Sequence, residues 1–380
     1  MKQSFDVIVV GAGSMGMSAG YHLAKRGIRT LLIDSFDPPH EQGSHHGEPR
    51  LIRHAYSGGP TYVSLALEAD RLWLELEEAS NQKLLVRSGV LNMADRALIK
   101  FQARIEDAGR AGVRVEWLDA AEIRHRWPAV RLPETYEAMY EPDAGYLFSE
   151  RCVAEYRKLA LVEGATILPY TPVEQIWSEG SGIRVRTRVG EFAADQTIIS
   201  AGAWFKTLEP FVTLPIRAVR KTVGWFRSKP GLFDAGAFPG FTLGTDNGGY
   251  YGFPSIDGAG IKLGRHDGGL PWLPGETAAP FGHLEQDEGD LRQTLENYMP
   301  QAAGALLRGA VCKYELTPDE HFIIDRHPVH SNVILAGGFS GHGFKFSSAV
   351  GAVLADLIEG KKPSVDLGMF ALSRFDTISL

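Results

Sequence analysis

Residues 5–34, FDVIVVGAGSMGMSAGYHLAKRGIRTLLID, read as strand, glycine turn, helix and strand. Phe5 to Val10 is a short apolar, β-branched run, and Gly11, Gly13 and Gly16 follow at the G-x-G-x-x-G spacing. Such a turn needs one residue that tolerates positive φ and one that lets backbone N–H groups approach a diphosphate. The third glycine lets helix pack against strand. The helix that begins around Ser14 and Met15 would hold the diphosphate at its positive end, run to about Arg26 and stop at Gly27. Arg29 to Ile33 then supplies a second strand ending in Asp34, placed to accept from ribose hydroxyls. A glycine turn alone would fit any βαβ unit. Strand, helix and terminal carboxylate together point to a dinucleotide.

Working outward, a chain of 380 residues is long enough for a large core and is expected to form two interleaved domains. Its net charge of -7 provides no basic stripe for nucleic acid. The N-terminus enters a core strand directly, without a signal-peptide pattern, and no apolar run reaches membrane-spanning length. A cytoplasmic protein that avoids membranes is therefore expected. Of the two cysteines, Cys152 and Cys312, neither is expected in a disulfide.

Phe36 to Tyr56 is rich in Pro, Gly and His, lacks periodicity, and reads as a long loop. Tyr62, Leu65, Ala66, Ala69, Leu72, Trp73 and Leu76 recur at helical spacing and predict a helix packed on the nucleotide domain. Further expectations are a strand over 84–93, a helix over 98–108, a strand over 113–117 and a capped helix opening at Asp119. A helix over 150–164 precedes short strands at 165–168, 173–177, 183–187 and 196–200, the last running into Gly202. From Pro215 to Tyr314 extended runs with hairpin punctuation predict an antiparallel sheet, interrupted by a helix over 288–298. Val333 to Ala336 and GGFSGHGFKFSSAVGAVLADLIEG repeat strand, glycine turn and helix, and the last dozen residues read as a surface tail.

Glycine turns at both chain ends, separated by a sheet domain, suit FAD better than NAD. Lys345 would stand in the first turn of the C-terminal helix, where a cation opposes the macrodipole unless an anion is near. A substrate carboxylate could be that anion; a solvated surface lysine is the ordinary alternative. In Ile261 to His266 the strand period puts Lys262 and His266 on one face, which is either a functional face or the wet side of a sheet. The same period pairs Cys312 with Tyr314, and a free cysteine is usually a small buried hydrophobe. His40, His45, His46 and His54 lack metal-ligand spacing, so no metal is expected. Arg50 and Arg53 could grip a carboxylate. No nucleophile elbow supports hydrolysis.

DVIVVGAGSMGMSAGY, FDPPHEQGSHHG with RLIRHAY, YYGFPS, IKLGRH, DEHFIID and GFSGHGFKFSS together resemble the monomeric sarcosine oxidase and N-methyltryptophan oxidase family over nearly the whole chain. The resemblance implies an α/β fold in which a Rossmann-like FAD-binding domain (1–84, 145–214 and 315–380) is interleaved with a mainly antiparallel substrate domain (85–144 and 215–314). It implies a monomeric, FAD-dependent oxidase that converts an N-methyl amino acid, foremost sarcosine, with oxygen and water to the amino acid, formaldehyde and hydrogen peroxide. N-methyl-L-tryptophan, a cyclic imino acid, or a dehydrogenase with another electron acceptor are the alternatives.

By the same resemblance Cys312 carries the flavin covalently, Arg53 and Lys345 hold the substrate carboxylate, and Tyr251, His266 and Tyr314 line the substrate cavity. Arg50 and His46 lie beside the flavin, and Lys262 serves oxygen reduction near flavin N5. The expected catalytic set is thus Lys262, Arg50, His266, Tyr251 and Tyr314, and the substrate is held by Arg53, Lys345, Tyr251 and His266. The cofactor is expected to meet Gly11, Gly13, Ser14, Met15, Gly16, Asp34, His46, Arg50, Val173, Gly202, Cys312, Gly341, Gly343, Phe344 and Lys345. Glu48-Pro49, Thr242 and Arg265 depart from the sarcosine-oxidase pattern, the last two toward the methyltryptophan branch, and leave the substrate side chain open.

Overall fold

The computed structural model describes residues 3–375 and contains three sheets. The first, of eight strands, is built on Gln3–Val10, which pairs in parallel with Thr30–Ile33 on one side and Gly190–Ile199 on the other. Thr166–Leu168 and Val333–Gly337 extend the parallel set outward, so the last strand of the chain joins the sheet started by the first. Helices Ser14–Lys25, Pro60–Ser80, Ser149–Val162 and Ser347–Ile358 cover one face through Met17, Leu23, Trp73, Tyr156 and Val350. Apolar faces at helical spacing must be buried somewhere, and this sheet is where they go.

The second sheet has nine strands and includes Val90–Asp95, Tyr136–Glu141, Arg217–Phe226, Gly248–Phe253, Ile261–Arg265 and Leu306–Leu316. Its pairs are antiparallel except that Gly240–Thr245 runs parallel to Val90–Asp95. A three-stranded sheet of Arg50–Ile52, Leu85–Val86 and Gly145–Leu147 lies between the two in sequence and ties the long loop down.

Several local expectations are corrected. The loop over 36–56 contains the strand Arg50–Ile52, three residues too short to show a period. The single strand over 84–93 is two strands in different sheets, broken at Gly89 (φ +71°), whose N–H donates to Ala144 O. The helix over 98–108 starts later, at Gln102, because Leu98 and Ile99 turn back onto Asp95 O. The strand over 113–117 is displaced to Glu116–Asp119. Asp119 caps the next helix as the sequence predicts, accepting from Glu122 N at 2.8 Å. Within the tail, Phe370 and Phe375 are buried in the core rather than laid on the surface, and residues 376–380 lie outside the described part.

Candidate active site

Two cavities meet between the sheets. The first, of about 410 Å³, is lined by Gly11, Gly13, Ser14, Met15, Asp34, Val173, Gly202, Gly341 and Gly343. The second, of about 460 Å³, is lined by Arg53, Tyr251, His266, Lys345, Thr242 and His342. Arg50, Tyr314, Gly341 and Phe344 border both, so a ligand filling the first would end where the second begins.

The first cavity has the features a dinucleotide requires. Gly11 is at φ +91°, and a Cβ there would press on the Ser200 backbone. Gly16 is packed so closely on the Gly11 carbonyl that no side chain could stand there, although Gly16 itself is not a lining residue. The helix beginning at Ser14 has no side-chain cap, which leaves its first N–H groups to a ligand. Asp34 accepts from Ala12 N at 2.7 Å and Phe36 N at 2.9 Å, clamping the turn while still facing the cavity. Glu315, which sequence reading overlooked, lines the same space. Its Oε2 is buried without a partner, and burial raises the carboxyl to about 8. A neutral acid with a free oxygen, pointing into a cleft of bare backbone donors, fits a polyhydroxylated cofactor such as FAD.

Strand geometry buries Lys262 and Cys312 in the second sheet, where neither lines either of the two cavities. In Ile261–Arg265, Lys262 faces the interior with Gly264, and Tyr251 on the neighbouring strand lies opposite Gly264, where a Cβ would strike its ring. That face is not the wet side: Lys262 is 1% exposed. Its Nζ donates to Gly47 O at 2.5 Å and Pro49 O at 3.2 Å, and Arg50 Nη1 donates to the same two carbonyls at 2.7 and 2.9 Å. Desolvation first, then Arg50, pulls the Lys262 ammonium well below the usual lysine range. Cys312 lies opposite Lys221 across the sheet, as a free buried thiol. Burial pushes that thiol up, while Arg50, Lys262, Lys221 and Lys313 oppose the shift by favouring the thiolate.

In the second cavity Arg53 Nη1 donates to Asn92 Oδ1 at 2.9 Å and Lys345 Nζ to His342 O at 2.7 Å. Their charged groups lie 4.9 and 5.1 Å from the Tyr56 ring. Among the described residues neither forms an ion pair. Desolvation and then Arg53 hold Lys345 well below its ordinary value. His266 is lowered to about 4 by desolvation, Arg53, Lys221 and Lys345, so it is a neutral imidazole. Tyr314 donates to Tyr251 at 3.4 Å; burial raises both phenols, Tyr251 to about 12.

Not every expected residue comes together. His46 faces a separate opening with Trp204 and Lys313, its Nδ1 2.9 Å from a Glu150 oxygen. Of the other loop histidines, His40 and His45 pack with ring centroids 5.3 Å apart, His40 also beside Asp34, while His54 stands apart beside Asp70. Among the described residues no group of three or more His, Cys, Asp or Glu could hold a metal. Nor is any helix among them long and apolar enough to cross a membrane. Of the departures from the family pattern, Thr242 lines the cavity and donates to Asn92 Oδ1 at 3.1 Å, whereas Arg265 is drawn off by Asp267 and Asp290 at 2.9 and 3.1 Å. Glu48 instead accepts from Glu150 N at 3.2 Å at the start of a helix.

A family described as FAD dependent oxidoreductase matches residues 6–357. Monomeric sarcosine oxidase from Bacillus sp. (strain B-0618) is 48% identical over 378 residues, covering 98% of this chain and 97% of that protein. N-methyl-L-tryptophan oxidase from Salmonella heidelberg (strain SL476) is 41% identical over 374 residues, covering 98% and 99%. Among solved structures, L-proline dehydrogenase from P. horikoshii superposes with a TM-score of 0.87 over 100% of both chains, at 22% identity, a likeness of fold.

Proposed function

This chain belongs to the FAD dependent oxidoreductase family, and within it we propose an N-methyl amino acid oxidase. The substrate R–NH–CH3, with one O2 and one water, becomes R–NH2, formaldehyde and hydrogen peroxide. The observation that carries the reading is the second cavity: a buried Lys345 and a half-buried Arg53, neither in an ion pair among the described residues, bordering the dinucleotide cavity through Arg50, Tyr314, Gly341 and Phe344. Sarcosine is the minimal molecule that meets this need. Its relatives named for sarcosine and N-methyl-L-tryptophan support the same chemistry.

When bound, the flavin takes two electrons from the N–CH3 group and passes them to oxygen. Gly11, Gly13, Asp34, Gly202, Gly341 and Gly343 would hold the dinucleotide, and Cys312 would carry it covalently. Arg53 and Lys345 bind the carboxylate and so fix where the N-methyl group stands. The same cations disfavour the substrate ammonium, leaving the lone pair from which electrons depart. Neutral His266 and the protonated phenols of Tyr251 and Tyr314 can hold the amine by hydrogen bonds without adding charge. The released imine hydrolyses in water.

Anaerobic sarcosine should bleach the yellow enzyme, and aerobic turnover should yield peroxide and formaldehyde in equal amounts. Bleaching without peroxide would instead indicate a dehydrogenase. A denaturing gel should show flavin fluorescence travelling with the wild-type band and none with Cys312→Ala. A fluorescent mutant band would place the attachment elsewhere.

A further inference from the structure

Beyond Arg53, Lys345 and the Arg50 it shares with the first cavity, the substrate cavity holds a further cation. Arg104 lines it from the first turn of the helix Gln102–Arg110, where a positive charge opposes the helix dipole. Its Nη2 donates to Ala55 O at 2.9 Å, and its Nε is buried with no partner. Among the described residues it forms no ion pair. Desolvation and the nearby Arg53 pull this guanidinium down to about 10, opposed by Glu141.

The charges around the cavity do not balance. Glu141, 1% exposed, is the carboxylate that acts on both Arg104 and Lys345. Its oxygens are already taken by His54 N at 2.7 Å, Ala55 N at 2.9 Å and Asn92 Nδ2 at 3.2 Å. Of the other acids at the cavity, Asp319 is engaged by Arg374 at 2.8 Å, and Glu320 stands exposed at the mouth. His266 and His342, both lowered mainly by desolvation, add no charge. Apart from Arg50, which borders both cavities and donates to the backbone carbonyls of Gly47, Pro49, Ser44 and His46, three cations therefore face one buried carboxylate. A single substrate carboxylate between Arg53 and Lys345 answers one excess charge and leaves the other.

We propose that the preferred substrate is an N-methyl amino acid whose side chain ends in a second carboxylate, and that Arg104 binds that carboxylate. The inference rests on the N-methyl amino acid oxidase reading above and names the substrate class for the same site. Met93, Ile99 and Phe101 line the cavity beside Arg104 and suit the methylene groups between the two charges. For N-methyl-L-glutamate the C–N bond to the methyl carbon is oxidised by two electrons, which pass through the flavin to O2. Water supplies the oxygen of formaldehyde, and L-glutamate and hydrogen peroxide complete the balance.

The test compares kcat/KM for N-methyl-L-glutamate and N-methyl-L-aspartate with N-methyl-L-glutamine and sarcosine. The better diacid should exceed the amide by roughly tenfold or more, the range of one charge-assisted contact. Arg104→Gln, which keeps a donor for Ala55 O, should bring that ratio near one while sarcosine changes less than about threefold. Arg104→Lys should restore part of the ratio. A wild-type enzyme that does not prefer a diacid over the amide would overturn the proposal, even if the variants fail to fold. So would an unchanged ratio in Arg104→Gln. Failure of sarcosine and every N-methyl amino acid to bleach the flavin would instead defeat the underlying reading.

Discussion

Lys262→Met is expected to slow the reaction of the reduced enzyme with oxygen by roughly a hundred- to a thousandfold, the usual loss when a preorganised charge is removed. Electron transfer to oxygen creates an anion where little water is present to solvate it. Lys262 is the most deeply buried lysine among the described residues, with Nζ tied to the carbonyls of Gly47 and Pro49 and lying 4.9 Å from the Phe253 ring and 5.2 Å from that of Trp225. The amine half-reaction consumes no oxygen and should fall much less. Stopped-flow traces of anaerobic reduction and of reoxidation separate the two, and reoxidation at the wild-type rate would show that the charge acts elsewhere. The pH dependence has a definite sign. Because desolvation and Arg50 lower the ammonium pKa, the proton is held below that lowered value and lost above it. The oxygen rate should thus decline with rising pH before the ordinary lysine range is reached, and the Met variant should lack that decline.

Removing either carboxylate-binding cation should cost about 1.5 to 3 kcal/mol, or roughly ten- to a hundredfold in affinity. Lys345→Met and Arg53→Met can each be titrated with acetate by following the flavin spectrum. If Lys345→Met bound acetate as tightly as wild type, its assignment as a carboxylate ligand would be wrong. Stability tells a binding cation from a structural one. Lys345 is buried beside Arg53 with no ion pair, and the favourable pull of Glu141 is smaller than the desolvation and the Arg53 repulsion, so its loss from the ligand-free protein should leave the melting temperature unchanged or raised. A large drop would mean that the bond from Nζ to His342 O outweighs the cost of the charge.

Some of this site could be read from local pattern, because periodicity and glycine spacing act over a few residues. Residues 5–34 encode their turn and its neighbours, and the structure keeps the strand, the helix and Gly27 at φ +76°. Strand period set Lys262 beside Gly264 and opposite to Ile261, and helical period named the buried face of Pro60–Ser80. The same reasoning failed on Arg50–Ile52 and Gly145–Leu147, which are too short to carry a period and exist because each pairs with the other.

The sequence by itself determined which segments become strands and helices along most of the chain, where the dinucleotide turns lie and which side chains share a face. Tertiary structure decided which of those faces are dry and which charges find partners. Glu141 is bonded to His54 N, 87 residues away, and Arg53 to Asn92, 39 residues away. Neither contact leaves a mark within one element. Arg104 and Glu315 went unnoticed for the same reason: each is an ordinary charged residue in its own segment. The physical cause is that local backbone preference acts through neighbours a few residues apart, whereas desolvation and Coulomb interaction depend on everything within several ångströms, whatever its place in the chain. Folding brings Arg53, Arg104 and Lys345 to the lining of one cavity, a placement absent from any stretch of the sequence.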